Sequence, residues 1–285
     1  MKKENNFLVT GATGFIGSNI INLLIKKKKK VYALIKSSSK KKIHKKKNLY
    51  FIYYKNFDEI EKKLKNYKFS TFINCATYYS STNHDQIKII KMIESNIIFG
   101  TLVFLAIKND IKKFINFGSM MEYTNYKIKR PLNFYGVTKK IYEEILNYFI
   151  DKKKIKYYNI KLYDTFGLDD KRKKLIPTII NNYNKNKITK INSENLQINI
   201  VSISSVLKII NNIIFNKIKS GSYCLFSKFN KIKKILEDVN KELDKKIIIQ
   251  YEGKEKISQV QKKIRNLNYL YFKENITKFI IKAIA

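Results

Sequence analysis

Near its amino terminus the chain reads Gly11-Ala12-Thr13-Gly14-Phe15-Ile16-Gly17, three glycines in the spacing GxxGxxG. A short apolar run, Phe7-Leu8-Val9, stands before it, and apolar residues at helical spacing follow it. Strand, glycine turn and helix are the context in which this motif holds a dinucleotide, because the glycines permit a tight turn and a close approach to the pyrophosphate. The first N–H groups of the helix then face the phosphates. The stretch therefore predicts a dinucleotide-binding loop.

Downstream of this loop, runs of β-prone residues alternate with helical segments. The further predicted strands are residues 31–35, 49–54, 72–76, 114–117 and 157–162. Such alternation is typical of parallel strands in a doubly wound sheet. With 285 residues, 44% of them hydrophobic, the chain can bury a full core. The sequence therefore predicts an α/β fold built on a doubly wound parallel sheet.

The formal net charge is +37, a value that by itself favours nucleic acid or an acidic membrane as a partner. Arginine, the favoured residue for phosphate and base recognition, occurs only at Arg130, Arg172 and Arg265, and nearly all of the charge is lysine spread along the chain. We interpret this charge as compositional drift, as in a coding sequence rich in A and T, and expect no nucleic-acid partner. A functional polyanion-binding surface is the alternative.

The cysteine content and the hydropathy of the chain indicate the cellular compartment. Cys75 and Cys224 form neither a disulfide framework nor a metal-ligand spacing, so no metal is predicted. No stretch of about 18 uninterrupted apolar residues indicates a membrane span, and residues 1–6 do not fit a secretory signal. We expect a cytoplasmic protein without a membrane partner.

A second motif lies in the middle of the chain, Tyr135-Gly136-Val137-Thr138-Lys139, and Ser119 precedes it by 16 positions at the end of a predicted strand. On a helix, positions four apart share one face. A lysine cation beside a phenol favours the phenolate, and we therefore predict that Lys139 lowers the pKa of Tyr135. Tyr135 could then exchange a proton near neutral pH.

Together these motifs resemble those of the extended short-chain dehydrogenase/reductases, the NAD-dependent epimerase/dehydratase family. The resemblance covers nearly the whole chain, most strongly to about residue 140, and within the family it is greatest to the CDP-abequose and CDP-paratose synthases, which are nucleotide-sugar 4-ketoreductases. It implies a Rossmann-type dinucleotide-binding domain over residues 1–162 and a mainly substrate-binding region over residues 163–285, interleaved with the first. It also implies a nucleoside-diphosphate sugar as substrate and a homodimer.

The cofactor is predicted from the end of the second strand. An acidic residue there would bind the adenine ribose and favour NAD, but the chain has Lys36-Ser37-Ser38-Ser39, whose charge and hydroxyls suit a 2′-phosphate. We predict NADP(H), with NAD(H) possible; the alternative is that these residues are only a lysine-rich loop. The cofactor-binding residues implied by the loop and the resemblance are Gly11, Thr13, Gly14, Phe15, Ile16, Gly17, Lys36, Ser37, Ser38, Ala76, Asn96, Tyr135 and Lys139.

Asn96 belongs to a segment that resembles the Asn-x-x-Gly-Thr pattern of the family, with one extra residue before Gly100. The resemblance places Asn96 in the hydrogen-bond network of the active site. The alternative is a solvent-facing asparagine in a chain rich in asparagine.

The resemblance assigns catalysis to Ser119, Tyr135 and Lys139. Sugar 4,6-dehydratases carry an Asp-Glu pair after this serine or threonine, whereas this chain has Met120-Met121, and dehydration is therefore not expected. The arginine clamp usual for the substrate diphosphate is missing, so either Arg172 or a lysine replaces it or the substrate differs. The candidate substrate-binding residues are Tyr78, Tyr79, Met120, Asp164 and Arg172; His84 is interpreted as a surface group.

Three functions are compatible with these residues. The leading prediction is an NADP(H)-dependent nucleotide-sugar 4-ketoreductase acting in surface-polysaccharide sugar biosynthesis. The second is a 4-epimerase of the same fold, which would retain NAD. The third is a non-catalytic dinucleotide sensor or an RNA-binding relative, against which the presence of Ser119, Tyr135 and Lys139 argues.

Overall fold

The computed structural model describes residues 6–39, 43–80, 85–123, 130–151, 154–254, 264 and 267–284; His84 lies outside them. The strands are β1 (Asn6–Thr10), β2 (Lys30–Lys36), β3 (Leu49–Tyr54), β4 (Thr71–Asn74), β5 (Lys113–Ser119), β6 (Lys156–Leu162), β7 (Thr165–Phe166), β8 (Thr189–Ile191), β9 (Gln197–Ile198), β10 (Val201–Ser202), β11 (Gly221–Phe226), β12 (Asn230–Lys231), β13 (Ile249–Tyr251) and β14 (Asn268–Tyr271). The helices are α1 (Phe15–Lys26), α2 (Glu59–Leu64), α3 (Gln86–Ile93), α4 (Phe99–Ile107), α5 (Phe134–Ile150), α6 (Leu175–Asn184), α7 (Ile203–Ile214), α8 (Ile232–Glu242) and α9 (Ile276–Ile284).

The central element is an eight-stranded sheet in the order β14-β11-β6-β5-β4-β1-β2-β3. Every neighbouring pair in it is parallel. The order reverses direction at β1, because the chain moves outward to β3 and then crosses back to β4. The predicted doubly wound α/β fold is therefore confirmed, although β4 ends at Asn74, two residues before the predicted end.

Alternating side chains on the strands bury both faces of this sheet, because helices cover each face. Phe7 and Val9 pack with α1 and α7 on one face, whereas Leu8 packs with α2, α4 and α5 on the other. The resulting two layers of helix leave the carboxyl edge of the strands open for ligands.

Residues after β6 contribute both to the sheet and to a separate layer. Strands β11 and β14 return to the main sheet, while β7 pairs with β10, β8 with β13 and β9 with β12. Helices α6, α8 and α9 enclose an apolar cluster of their own around Ile179, Leu236 and Ile280. That the region 163–285 mainly binds substrate stays a prediction.

Close backbone packing explains two of the glycines in the loop after β1. Gly11 has a φ of +63°, and a Cβ there would lie 2.4 Å from the Cys75 carbonyl. A Cβ on Gly17 would lie 2.3 Å from the Gly11 carbonyl oxygen. Only glycine fits either position without moving backbone, and α1 therefore begins directly against the carboxyl end of β4.

Among the described residues one helix, Gln86–Ile107, is long and apolar enough to cross a membrane, although the sequence predicts no span. It comprises α3, a π-helical segment (Glu94–Ile98) and α4. Such a helix is buried either in a membrane or in a protein core. Phe99, Val103 and Phe104 of α4 pack against the sheet, and we interpret this half as a core helix, whereas Ile87 and Ile90 on α3 are exposed.

Candidate active site at the carboxyl ends of the strands

Ser119, Tyr135 and Lys139 line one cavity of about 170 Å³. Ser119 ends β5, and the other two lie one turn apart at the start of α5. Asn133 begins this helix, because its side-chain oxygen accepts the Gly136 N–H at 2.9 Å. A Cβ on Gly136 would lie 2.0 Å from the Met121 carbonyl oxygen, so the start of α5 packs directly on the turn after Ser119. The structure thus brings together the three predicted catalytic residues.

Lys139 is almost fully buried, and its ammonium donates to the Phe117 carbonyl oxygen at 2.8 Å. Burial lowers the pKa of Lys139 to about 8. Its Nζ lies 5.9 Å from the centroid of the Tyr135 ring.

The predicted lowering of the Tyr135 pKa is wrong for this structure. Burial raises the pKa of the Tyr135 phenol, and Glu122, Tyr79 and Asp164 raise it further, whereas a hydrogen bond with Thr77 lowers it. Desolvation outweighs any effect of Lys139, whose ammonium is engaged by a backbone carbonyl. Tyr135 is therefore protonated at neutral pH, the state from which a phenol can donate a proton.

Asn96 is buried and connects the loop after β4 to the catalytic helix. Its oxygen accepts the Tyr78 N–H at 2.8 Å and the Thr77 hydroxyl at 2.9 Å. Its amide donates to the Tyr78 carbonyl and to the Thr138 hydroxyl, both at 3.0 Å. The Thr77 hydroxyl lies 3.5 Å from that of Tyr135. The alternative of a solvent-facing asparagine is thereby excluded.

The extra residue between Asn96 and Gly100 is absorbed by the π-helical segment Glu94–Ile98. A π-turn accommodates one more residue than an α-turn, and such bulges are frequent at functional sites. Gly100 still faces α5, since a Cβ there would lie 2.6 Å from the Tyr142 hydroxyl. Asn96 and Gly100 therefore both reach α5 despite the insertion.

A second cavity, of about 240 Å³, lies between the glycine loop and the end of β2. The predicted residues Gly11, Thr13, Lys36 and Ala76 line it. Ser39, the last residue of the segment predicted to suit a 2′-phosphate, also lines it, whereas Ser37 and Ser38 do not.

Ser37 and Ser38 are both exposed, and the Ser37 N–H and hydroxyl bond the Tyr54 carbonyl at 2.8 and 3.1 Å. One carboxylate does line the cavity, that of Glu94, but it comes from the π-helical segment and not from the end of β2.

The residues around this cavity fit a dinucleotide. Gly14 is the N-cap residue of α1 and has no side chain. Among the described residues, therefore, no N-cap side chain bonds the free N–H groups of the first turn. These groups would hold the pyrophosphate, with Lys36 and Ser39 towards the adenosine end. Phe15 and Ile16 face the other way: Ile16 lines the catalytic cavity, and the Arg172 guanidinium lies 4.4 Å from the Phe15 ring centroid.

The mouth of the catalytic cavity is formed by Tyr79, Asp164, Arg172 and Lys174. The Tyr79 and Tyr135 rings meet edge to face at 5.0 Å. Lys174 Nζ lies 4.3 Å from the Tyr79 ring centroid and 3.5 Å from the Asp164 carboxylate. Of the predicted substrate residues, Tyr78 takes part through its backbone contacts with Asn96.

Arg172 is held in place by several partners. Its guanidinium pairs with Asp170 at 2.7 and 2.8 Å and donates to the Thr165 carbonyl at 2.7 Å. Its orientation is therefore set before any ligand binds, whereas the single, longer ion pair of Lys174 leaves that cation easier to redirect.

Met120, predicted to contact substrate, is instead buried in a cluster with Tyr163, Cys224 and Leu267. The following residue, Met121, lines the catalytic cavity. A 3₁₀ turn covers Met120–Glu122, and in it Met121, not Met120, faces the catalytic cavity.

Sequence reasoning missed Glu122 and Lys174. Glu122 lies behind Ser119 and completes a capping box in which the Ser119 side chain and the Glu122 carboxylate bond each other's backbone. The Ser-x-x-Glu spacing is a recognised signature of that box and could have found it. No comparable signal marks Lys174.

A glycine loop at the reversal point of a parallel sheet, facing a cavity with a serine, a tyrosine and a lysine, is the arrangement of an NAD(P)-dependent enzyme of the oxidoreductase type. The chain belongs to the NAD dependent epimerase/dehydratase family, whose model matches residues 7–206.

Among its relatives, the CDP-abequose synthase of Yersinia pseudotuberculosis is 26% identical over 71% of this chain and 71% of its own. The CDP-abequose synthase of Salmonella typhimurium is 28% identical over 62% of this chain and 59% of its own. A UDP-glucuronic acid 4-epimerase from Bacillus cereus, solved with NAD and a UDP-linked sugar, shares the fold with a TM-score of 0.79, 15% identity and 98% coverage of both chains.

Proposed function

We propose that the protein is an NADP(H)-dependent 4-ketoreductase whose substrate is a 4-keto-deoxysugar linked to a nucleoside diphosphate. The observation that carries this proposal is the shared cavity of Ser119, Tyr135 and Lys139 beside the glycine loop. The similarity to two CDP-abequose synthases supports the sugar nucleotide as substrate class. The cytoplasm and surface-polysaccharide sugar biosynthesis stay predictions.

In the proposed reaction the hydroxyls of Ser119 and Tyr135 donate hydrogen bonds to the C4 carbonyl oxygen of the sugar. These donors stabilise the negative charge that develops on that oxygen. The bound dinucleotide would supply the hydride to C4. Tyr135, which is protonated at neutral pH, then gives its proton to the oxygen. Lys139, anchored on the Phe117 carbonyl, would hold the ribose of the cofactor.

The diphosphate of the substrate needs a cation, and Lys174 is the candidate that the geometry favours. It stands at the cavity mouth with Tyr79 and Asp164, and Arg172 beside it is already engaged by Asp170. We propose that Lys174 turns to the diphosphate when substrate binds, while Arg172 supports the wall between the two cavities.

A 4-epimerase is the second candidate, because the fold is shared with a UDP-sugar 4-epimerase and the same three catalytic residues would serve it. An epimerase restores its dinucleotide in each cycle and retains it, whereas a reductase must exchange it. Denaturing the purified protein and identifying the released nucleotide separates the two. We expect no stoichiometric NAD; full retention of NAD would support the epimerase.

The predicted homodimer is supported by apolar side chains left exposed on two neighbouring helical elements. Ile87, Ile90 and Ile98 follow one face of the helix Gln86–Ile107, and Ile141 and Tyr148 follow one face of α5. A second copy would cover them. Light scattering after size exclusion measures the mass in solution.

The direct test of the proposed activity is NADPH oxidation with a panel of CDP-, dTDP- and GDP-linked 4-keto sugars. Oxidation with at least one of them is expected. Absence of oxidation with all of them, while the protein binds NADPH, would refute the proposed reaction.

A further inference from the structure

A buried cluster of charges lies directly behind Ser119. Lys161 on β6 pairs with Glu122 and, at 2.6 Å, with Glu143 on α5. Glu122 and Lys161 are each 1% exposed. Glu122 and Glu143 thus share the Lys161 cation, and Glu143, whose side chain is 13% exposed, is the partner nearer to solvent.

This cluster touches the catalytic residues through the backbone at the end of β5. The Ser119 N–H donates to Glu122 Oε1 at 2.7 Å, and Lys139 donates to the Phe117 carbonyl at 2.8 Å. Gly118 lies between them, and a Cβ there would be 2.8 Å from Glu122 Oε1. The segment Phe117–Ser119 is therefore clamped between the Lys139 ammonium and the Glu122 carboxylate.

The sheet fixes the cluster in position through a ladder of buried amides. Glu143 Oε1 accepts from Asn159 at 2.6 Å, Asn159 accepts from Asn116 at 3.1 Å, and Asn116 accepts from Asn74 at 3.1 Å. The ladder ends at Thr10, whose hydroxyl donates to Asn74 at 2.6 Å. These residues stand opposite one another on β6, β5, β4 and β1, and strand register alone therefore aligns them.

The electrostatics follow from two carboxyl groups around one ammonium, with Glu122 and Lys161 removed from solvent. Burial and Glu143 raise the pKa of Glu122, to about 7, against the opposing effect of Lys161. Lys161 lowers the pKa of Glu143. A Glu122 charge in turn raises the pKa of Lys139, and the Lys161 cation lowers it. The titratable and charged groups that face Glu122 are Lys161, Glu143, Tyr123, Tyr135, Tyr157 and Lys139.

Stability alone does not account for this arrangement. Replacing a buried ion pair with apolar residues of similar volume is often neutral or stabilising. The cluster lies instead where it reaches both Ser119 and the catalytic lysine.

We propose that Glu122 is a positioning residue of the active site, which fixes the Ser119 peptide and places a buried carboxylate beside the strand segment that holds the Lys139 ammonium. The role in turnover rests on the proposed reductase function. The role beside Lys139 rests only on the proposed contact of Lys139 with the dinucleotide, which the reductase and the epimerase share.

The test is the pH dependence of NADPH binding, followed by fluorescence, in the wild-type protein, E122Q and E122D. A folded-state pKa of about 8 means that Lys139 is charged below pH 8 and neutral above it, so wild-type affinity falls as the pH rises through about 8. In E122Q the fall is expected about one pH unit lower, because the variant removes a negative charge near Lys139. E122D keeps that charge and is expected to stay closer to the wild type, whereas a general loss of structure would affect both variants.

The matched control is E144Q, the same change at an exposed position on α5, which is expected to leave the profile at about pH 8. If E122Q fails to fold, E122D still tests whether a shorter side chain at this position, with its charge kept, lowers kcat. An E122Q profile that coincides with the wild type would overturn the proposal.

Turnover supplies the second readout. In E122Q at pH 7.5 we expect kcat to fall about tenfold with little change in KM, because Ser119 loses its fixed orientation. Failure of every sugar nucleotide to react would count against the proposed function and leave the binding profiles decisive for Glu122. A shifted binding profile with unchanged kcat would refute the positioning of Ser119.

Discussion

The two cavities at the carboxyl edge of the sheet are built in different ways. The cavity beside the glycine loop is shaped by backbone, since Gly11 and Gly17 allow contacts that no other residue could make. The catalytic cavity is shaped at its mouth by side chains from separate segments, Tyr79 after β4 and Lys174 before α6. A backbone constraint can be recognised in the sequence as a motif of neighbouring glycines. A cavity mouth formed by side chains far apart in the chain has no such motif.

The substitution Tyr135→Phe should show the largest difference between an effect on the catalytic cavity and an effect on the cavity beside the glycine loop. It removes the proton donor from the catalytic cavity and leaves the glycine loop untouched, so we expect kcat to fall by about a hundredfold or more with little change in the Kd for NADPH. Steady-state kinetics and a binding titration measure the two effects.

The matched control is Tyr148→Phe, the same change on an exposed face of α5, with an expected kcat close to the wild type. Full activity in Tyr135→Phe would contradict the assigned role of this phenol.

Much of the fold could be predicted from the sequence, because strand patterns and motif spacings involve residues that are close together in the chain. The predicted strand 49–54 matches β3 to the residue, and the spacing of Ser119, Tyr135 and Lys139 predicted a shared site that the structure assembles. The pKa of Tyr135 could not be predicted in the same way, because desolvation depends on the whole surroundings and not on the lysine four residues away.

The substitution Lys36→Asp should change only the cavity beside the glycine loop. If Lys36 meets a 2′-phosphate, the affinity for NADPH should fall about tenfold or more, and NADH should gain relative to it. Lys47→Asp makes the same charge change at an exposed site and should alter neither affinity. Equal wild-type affinities for the two dinucleotides would remove the basis of the NADP(H) preference.

The substitution Lys174→Met should change only the mouth of the catalytic cavity. Losing one charged contact with the diphosphate should raise KM for the sugar nucleotide by about five- to tenfold and leave the NADPH affinity unaltered. Lys173→Met, at the exposed neighbouring position, serves as control. An unchanged KM in Lys174→Met would assign the diphosphate to another cation.

Two details of the site lay beyond sequence reasoning for a physical reason. The π-helical segment Glu94–Ile98 places Asn96 and Gly100 against α5, and a regular helical period does not mark such a turn in the sequence. Met120, predicted to contact substrate, is buried, and Met121 lines the catalytic cavity, where a 3₁₀ turn follows Ser119 at once. Both outcomes depend on contacts between segments far apart in the chain.

The central claim is hydride transfer to the C4 carbon of a nucleotide-linked 4-keto sugar. The most direct measurement is the fate of deuterium from NADPH that carries deuterium at both positions of the nicotinamide C4, followed by mass spectrometry and NMR of the sugar product. The account predicts one deuterium at sugar C4 and one equivalent of NADP⁺ per product. Product formed without deuterium at C4, or no product with any nucleotide in the panel, would contradict it.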